Sequence, residues 1–117
     1  MSNPPQLATY QVGLLRRSRQ YDDFDEESRE RIFREHLAYN LSNVASGEQL
    51  AAGPVRDSPA EEESICGLGV YQKDSLDEVR QILANDPGVK QGLYTFDVLT
   101  WLSAPGVVTP PAGWSPG

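Results

Sequence analysis

Cysteine is almost absent from this chain, with Cys66 alone in 117 residues. That excludes an internal disulfide and any zinc cluster built on cysteine thiolates. Histidine is equally scarce: His36 is the only one, so no metal-ligand set is expected. Basic residues are few as well, ten Lys and Arg against 17 Asp and Glu, for a net charge of -7. A nucleic-acid binder needs a surface that neutralises phosphates, and this chain carries the opposite field. No apolar run approaches the ~20 residues that span a bilayer. The start, Met1-Ser2-Asn3-Pro4-Pro5, lacks the basic and apolar blocks of a signal peptide. The expected setting is soluble and cytoplasmic, away from nucleic acid and membrane. With 38% hydrophobic residues in this length, one compact core is expected and no second one.

What is present divides into alternating and helical patterns. Ala8 to Arg16 sets Tyr10, Val12 and Leu14 against Thr9, Gln11, Gly13 and Leu15, the period of a strand covered on one side. A helix follows from about Asp25 to Ser46, with Gly47 suited to the left-handed position that ends it. On the helical wheel Phe33, Leu37, Leu41 and Val44 form one stripe, which is the expected core side. Gln49 to Val55 reads as a second strand, stopped by Gly53-Pro54. The Glu61-Glu62-Glu63 run reads as a solvated loop before a third strand, Ser64 to Gln72. In that strand Gly67 and Gly69 thin one face, which permits close approach by a helix, a partner or a ligand. Ser75 and Glu78 have capping-box spacing and open a second helix that turns Leu76, Val79, Ile82 and Leu83 inward. Asn85-Asp86-Pro87-Gly88 ends it with turn chemistry. Leu93 to Leu102 alternates Tyr94, Phe96 and Val98 against Thr95, Asp97 and Leu99, a fourth strand.

The order is βαββαβ, which points to an α+β, ferredoxin-like fold: a four-stranded antiparallel sheet with two helices on one face. Residues 1–102 are expected to form this domain, and residues 103–117 a Pro- and Gly-rich tail without regular structure, on which Trp114 docks. Strands one, three and four carry apolar residues on both faces. A second copy of the sheet, related by a two-fold axis, is the expected cover, so a homodimer is expected.

Few residues can carry chemistry. His36 lies mid-helix at the edge of the apolar stripe, and Asn40 follows one turn later, so both need hydrogen-bond partners or a pocket. Imidazole can exchange a proton near neutral pH, yet a lone histidine also packs in cores. Asp86 before Pro87 reads as a turn-forming acid, and Asp57 as a loop acid. Gly67-Leu68-Gly69 sits inside a strand, not at a strand-to-helix turn, so it is no dinucleotide fingerprint. Cys66 is a nucleophile only if its thiol is accessible and activated, and strand thiols are usually inert.

One resemblance organises these residues. His36-Leu37-Ala38, Leu41, Gly47, Leu50, Ala52-Gly53-Pro54, the Ser75-opened helix and Asp86-Pro87 together resemble the YCII-related (YciI-like) family, over about Tyr10 to Trp101. The resemblance implies a ferredoxin-like fold, association as a dimeric α/β barrel, and a histidine–aspartate pair in a cleft beside the sheet. The family histidine falls on His36 and the acid on Asp86, with Asp57 as a second candidate. One branch of the family removes HCl from a chlorinated hydroxyquinone. What this implies here is a cofactor-free acid–base enzyme, a lyase or isomerase, acting on a small cyclic or quinone-like metabolite. Its catalytic residues would be His36 and Asp86, and Tyr10, Leu14, Asn40, Asp57 and Tyr94 would line the substrate cleft. The other reading is a small-molecule-binding or dimeric interaction protein without catalysis. The tail from Ser103 departs from the short family form.

Overall fold

A computed structural model describes residues 6–56, 58–59 and 63–109. Asp57 and Trp114, and with them the expected docking of the tail, lie outside the described residues. The elements run β1 (Ala8–Arg17), a 3-10 turn (Tyr21–Asp23), α1 (Glu26–Ser46), β2 (Ala51–Pro54), β3 (Ile65–Tyr71), α2 (Leu76–Ala84), α3 (Pro87–Lys90) and β4 (Tyr94–Ser103). The strands form one antiparallel sheet in the order β2-β3-β1-β4. This is the α+β, ferredoxin-like arrangement expected from the element order. The additions are the 3-10 turn and the short α3.

Local chemistry explains where the helices begin and end. Asp25 caps α1 by accepting from Ser28 N–H at 2.7 Å. Gly47 ends that helix at φ 87°, a conformation that costs side-chain-bearing residues steric strain. Ser75 Oγ accepts from Glu78 N–H and opens α2.

The core lies between the sheet and the helices, built on Leu15, Ile32, Tyr71, Val79, Leu83, Leu93 and Tyr94. This placement decides the orientation of β1, which the alternation left open. Its helix-covered face carries Gln11, Gly13 and Leu15, whereas Tyr10, Val12 and Leu14 point to the other side. The reason is α2: a Cβ on Gly13 would come within 2.9 Å of Leu83, so the helix settles on the strand's small residue. Strand periodicity separates two faces but does not say which one a helix takes.

The stripe of α1 also differs from the expectation. Ile32, His36, Asn40 and Val44 are its buried residues, while Phe33 is at the surface and Leu37 and Leu41 are half-buried. The helix is rotated by about one residue, roughly 100°, relative to its most apolar stripe. Two polar side chains therefore enter the protein, and their partner is the buried Asp86 on the far side of α1.

Before β2, Gln49 is fully buried and donates from Nε2 to the Tyr71 hydroxyl at 2.8 Å. Gly69 makes room for it, since a Cβ there would stand 2.8 Å from that nitrogen. The sheet face away from the helices lines up Val12 with Val70 and Leu99, and Leu14 with Leu68 and Asp97. Tyr10 packs on Trp101 across the β1–β4 pair, ring centroids 5.4 Å apart. Leu68, Leu99 and Trp101 remain 40–51% exposed on this face. No helix among the described residues is long and apolar enough to cross a membrane.

Candidate active site

The site is assembled around the step from α2 to α3. Asn85 closes α2, and Asp86 then adopts an extended conformation and caps α3, its Oδ1 accepting from Gly88 N–H at 2.7 Å. Pro87 takes the first helical position, where a missing N–H costs nothing. The Asp-Pro-Gly sequence thus fixes the carboxyl group in space. It also buries it: Asp86 is 0% exposed.

A buried carboxylate is costly unless several donors converge on it. Two come from successive turns of α1. His36 Nδ1 lies 2.7 Å from Asp86 Oδ2, and Asn40 Nδ2 donates to the same oxygen at 2.6 Å. Asn40 Nδ2 also donates to the His36 carbonyl at 2.9 Å. Asn40 Nδ2 also lies 3.1 Å from His36 Nδ1, but its two nearer neighbours are both acceptors, which sets the amide nitrogen toward Asp86. With Asp86 as a carboxylate, which has no hydrogen to give, the contact with His36 puts the hydrogen on Nδ1. Nε2 then carries the lone pair. It makes no hydrogen bond among the described residues and is not sealed from solvent.

Aromatic rings brace the imidazole. Tyr94 meets it edge-on with centroids 5.1 Å apart, and Phe33 stands at 6.1 Å. Burial pushes the Tyr94 phenol up, so it stays a neutral hydroxyl at physiological pH. Gly88 is what lets Tyr94 sit there, because a Cβ on residue 88 would meet the ring at Cδ2 and at Cε2, the latter 2.7 Å away. Gly88→Ala is therefore expected to displace the ring and lower stability by about 1–3 kcal/mol. A thermal melt and the near-ultraviolet spectrum of the tyrosines check this; an unchanged melt would mean that Tyr94 does not brace the site.

His36 and Asn40 line a narrow cleft of about 10 Å³, room for one water molecule, between α1 and the β2–β3 edge. Leu37 and Leu41 form one wall, and Ala52, Gly53, Gly67 and Leu68 another. The thin face of β3 thus serves the cleft at Gly67 and the buried Gln49 at Gly69. Of the residues expected around the site, the structure brings together His36, Asn40, Asp86 and Tyr94. Tyr10 and Leu14 are not among them: they lie on the opposite face of the sheet, for the register reason given above. Asp57 is not described. Residues missed from the sequence are Gly88, Phe33 as a ring neighbour, and the leucines of the cleft wall. The one available signal was the Asp-Pro-Gly order, in which the glycine reads as turn chemistry and not as room for a tyrosine. Cys66 is no rival centre, since burial pushes its thiol up to about 11 and keeps it protonated at neutral pH. Among the described residues no cluster of three or more His, Cys, Asp or Glu could hold a metal ion.

Comparison with known proteins follows this geometry. No curated protein matches the chain. Among solved structures it resembles 5-chloro-2-hydroxyhydroquinone dehydrochlorinase (TftG) from Burkholderia phenoliruptrix AC1100, in complex with 2,5-dihydroxybenzoquinone. The TM-score is 0.54 at 22% identity, covering 80% of this chain and 92% of that one. A conserved protein of unknown function from Bacteroides thetaiotaomicron VPI-5482 aligns at TM-score 0.49 and 11% identity, over 81% of this chain and 97% of that one. The first likeness supports the fold. The model of the YCII-related domain matches residues 14–101, from β1 to the body of β4 and across every element of the site. The chain belongs to the YCII-related domain family.

Proposed function

We propose that His36, Asp86 and Asn40 form the proton-transfer centre of a lyase- or isomerase-type enzyme acting on a small cyclic or quinone-like compound. The observation that carries this reading is the asymmetry of the imidazole: Nδ1 is committed to a buried carboxylate, and Nε2 is left with a lone pair at an apolar cleft. In such a site Nε2 takes a proton from an acidified C–H or O–H of the ring. The electron pair left behind delocalises into the ring, then expels a leaving group or shifts a double bond. Asp86 accepts the Nδ1 hydrogen bond throughout and stabilises the imidazolium that forms. The imidazolium returns its proton to product or water. The reaction as written calls for no cofactor. The dehydrochlorinase activity of the structural neighbour is chemistry of this kind on an aromatic compound. Crystals soaked with a panel of halogenated and hydroxylated rings test the reading. The expected result is a ring held with a C–H or O–H within hydrogen-bond reach of Nε2. Ligands that settle only elsewhere would overturn it.

We also propose that the helix-free face of the sheet is covered by a second copy of this chain, giving a homodimer. The support is apolar exposure: Leu68, Leu99 and Trp101 are exposed on the same face as Tyr10, Val12 and Leu14. A contiguous apolar surface of this kind favours association over hydration. Sedimentation at micromolar concentration is expected to give a dimer, and Leu99→Arg a monomer. A single 12.9 kDa species from the unaltered chain would exclude this arrangement.

A further inference from the structure

Three strand ends meet at one end of the sheet. Arg17 N–H, where β1 ends, donates to the Ser64 carbonyl at 3.0 Å, and Val55 N–H, just past β2, donates to the Cys66 carbonyl at 3.0 Å. These bonds frame a cavity of about 320 Å³ lined by Arg17, Arg56, Ser58 and Ser64, with Val55 and Ile65 on its apolar side. Cavities of similar size elsewhere are lined by Glu48 and Glu78 or by Glu26 and Glu30, whereas no carboxylate among the described residues lines this one. The two arginines stand out in an acidic chain. Arg16, Arg19, Arg29, Arg31, Lys73 and Arg80 each lie within 4.0 Å of a carboxylate; among the described residues Arg17 and Arg56 do not. Arg17 is nevertheless held in place. Its guanidinium lies over the Tyr21 ring at 4.5 Å, which occupies one face and leaves the N–H edge to donate in plane. Ser64 is only 8% exposed, and its hydroxyl has no hydrogen-bond partner among the described residues, yet it is not sealed off as a buried orphan. It opens on the cavity that it lines.

We propose that this cavity is a binding site for a small phosphate monoester, whose phosphate group is held by Arg17 and Arg56 with hydrogen bonds from Ser58 and Ser64. Two guanidiniums offset the charge of a dianion, and their N–H groups, with the two hydroxyls, supply the donors its oxygens accept. A single carboxylate would leave one arginine unmatched. About 320 Å³ is more than a phosphate group fills, and Val55 and Ile65 offer the organic part an apolar surface beside it. The net charge of -7 disfavours anions at long range, so selection here comes from contacts at short range. The site is separate from the His36 cleft, with which it shares no lining residue, and it does not depend on the acid–base reading.

Butyl phosphate, inorganic phosphate and butanol test the proposal, with binding read by calorimetry and from the backbone amide resonances of Arg17, Ser64 and His36. Butyl phosphate is expected to bind saturably and to move the Arg17 and Ser64 signals while His36 stays in place. Inorganic phosphate is expected to bind more weakly, and butanol not to bind. Arg17→Gln and Arg56→Gln are each expected to weaken butyl phosphate by about tenfold, the loss of one charge-assisted contact. Arg34→Gln removes an exposed charge of α1 and is expected to leave the affinity unchanged. Arg17→Gln also takes the cation from Tyr21, so a thermal melt accompanies it; should that variant fail to fold, the exposed Arg56 decides through Arg56→Gln. The proposal is overturned if the unaltered protein does not bind butyl phosphate, since the arginines are then satisfied by the chain's own carboxylates. It is also overturned if only the His36 signal moves, or if inorganic phosphate or butanol binds as tightly. Equal weakening by Arg34→Gln and Arg56→Gln overturns it too, because that marks unspecific ionic attraction.

Discussion

His36→Gln is expected to lower turnover by about 10²–10⁴-fold while the protein melts almost where it did. Glutamine is of similar size, and its amide N–H can replace Nδ1–H as a donor to Asp86 Oδ2. It cannot take up a proton near neutral pH, so it preserves the scaffold and removes the base. His36→Ala is expected to lose turnover too, but with a lower melting temperature, because the fully buried Asp86 then loses one of its donors. If His36 merely packs, the pattern inverts: alanine costs stability, and activity per folded molecule survives. The deciding measurement is the rate per folded molecule on halogenated, hydroxylated rings, alongside a thermal melt. A His36→Gln protein with unaltered melt and unaltered rate ends the catalytic reading.

Asp86 is expected to matter most for stability. Asp86→Ala strands three donors at once: His36 Nδ1, Asn40 Nδ2 and the Gly88 N–H. Breaking a buried, multiply bonded charge in this way costs about 3–5 kcal/mol. For a domain of this size that corresponds to a fall in melting temperature of roughly 10–20 °C. Asp86→Asn keeps an oxygen for some of these donors and sets its own N–H₂ against the others, so a smaller loss is expected. Its rate should fall less than that of His36→Gln, because Asp86 orients the imidazole and does not exchange a proton with the ligand. Asp57→Asn serves as the comparison, because Asp57 is the other candidate acid. Were Asp57→Asn to lower the rate and Asp86→Asn to leave it alone, the acid partner would have to be reassigned.

Much of the scaffold for these experiments was legible in the residues. The alternation of Tyr94, Phe96 and Val98 against Thr95, Asp97 and Leu99 identifies β4. Asp25, Gly47 and Ser75 mark helix ends through side-chain and backbone chemistry that acts within a few residues. Gly67 and Gly69 announce a thin face, and one of them lines the cleft. The choice between Asp86 and Asp57 was not legible, because two acids in two loops look alike until the chain is folded. Nor was Gly88, whose function is to be absent beneath a tyrosine six residues further on.

The sequence by itself determined the order of elements, their ends, and the two residue types that make proton transfer conceivable, since each depends on neighbours along the chain. The tertiary structure alone decided which faces are inside. On hydropathy α1 should bury Phe33, Leu37 and Leu41; instead it buries His36 and Asn40 beside Ile32 and Val44. On alternation β1 could have turned Tyr10 and Leu14 to the helices; instead it turns Gln11, Gly13 and Leu15. β1 does so because α2 settles on Gly13; the rotation of α1 has another cause. An apolar stripe can be satisfied by any greasy surface, including the wall of an open cleft. A fully buried carboxylate at the start of α3 can be satisfied only by donors held at about 2.7 Å, and α1 turns to supply them.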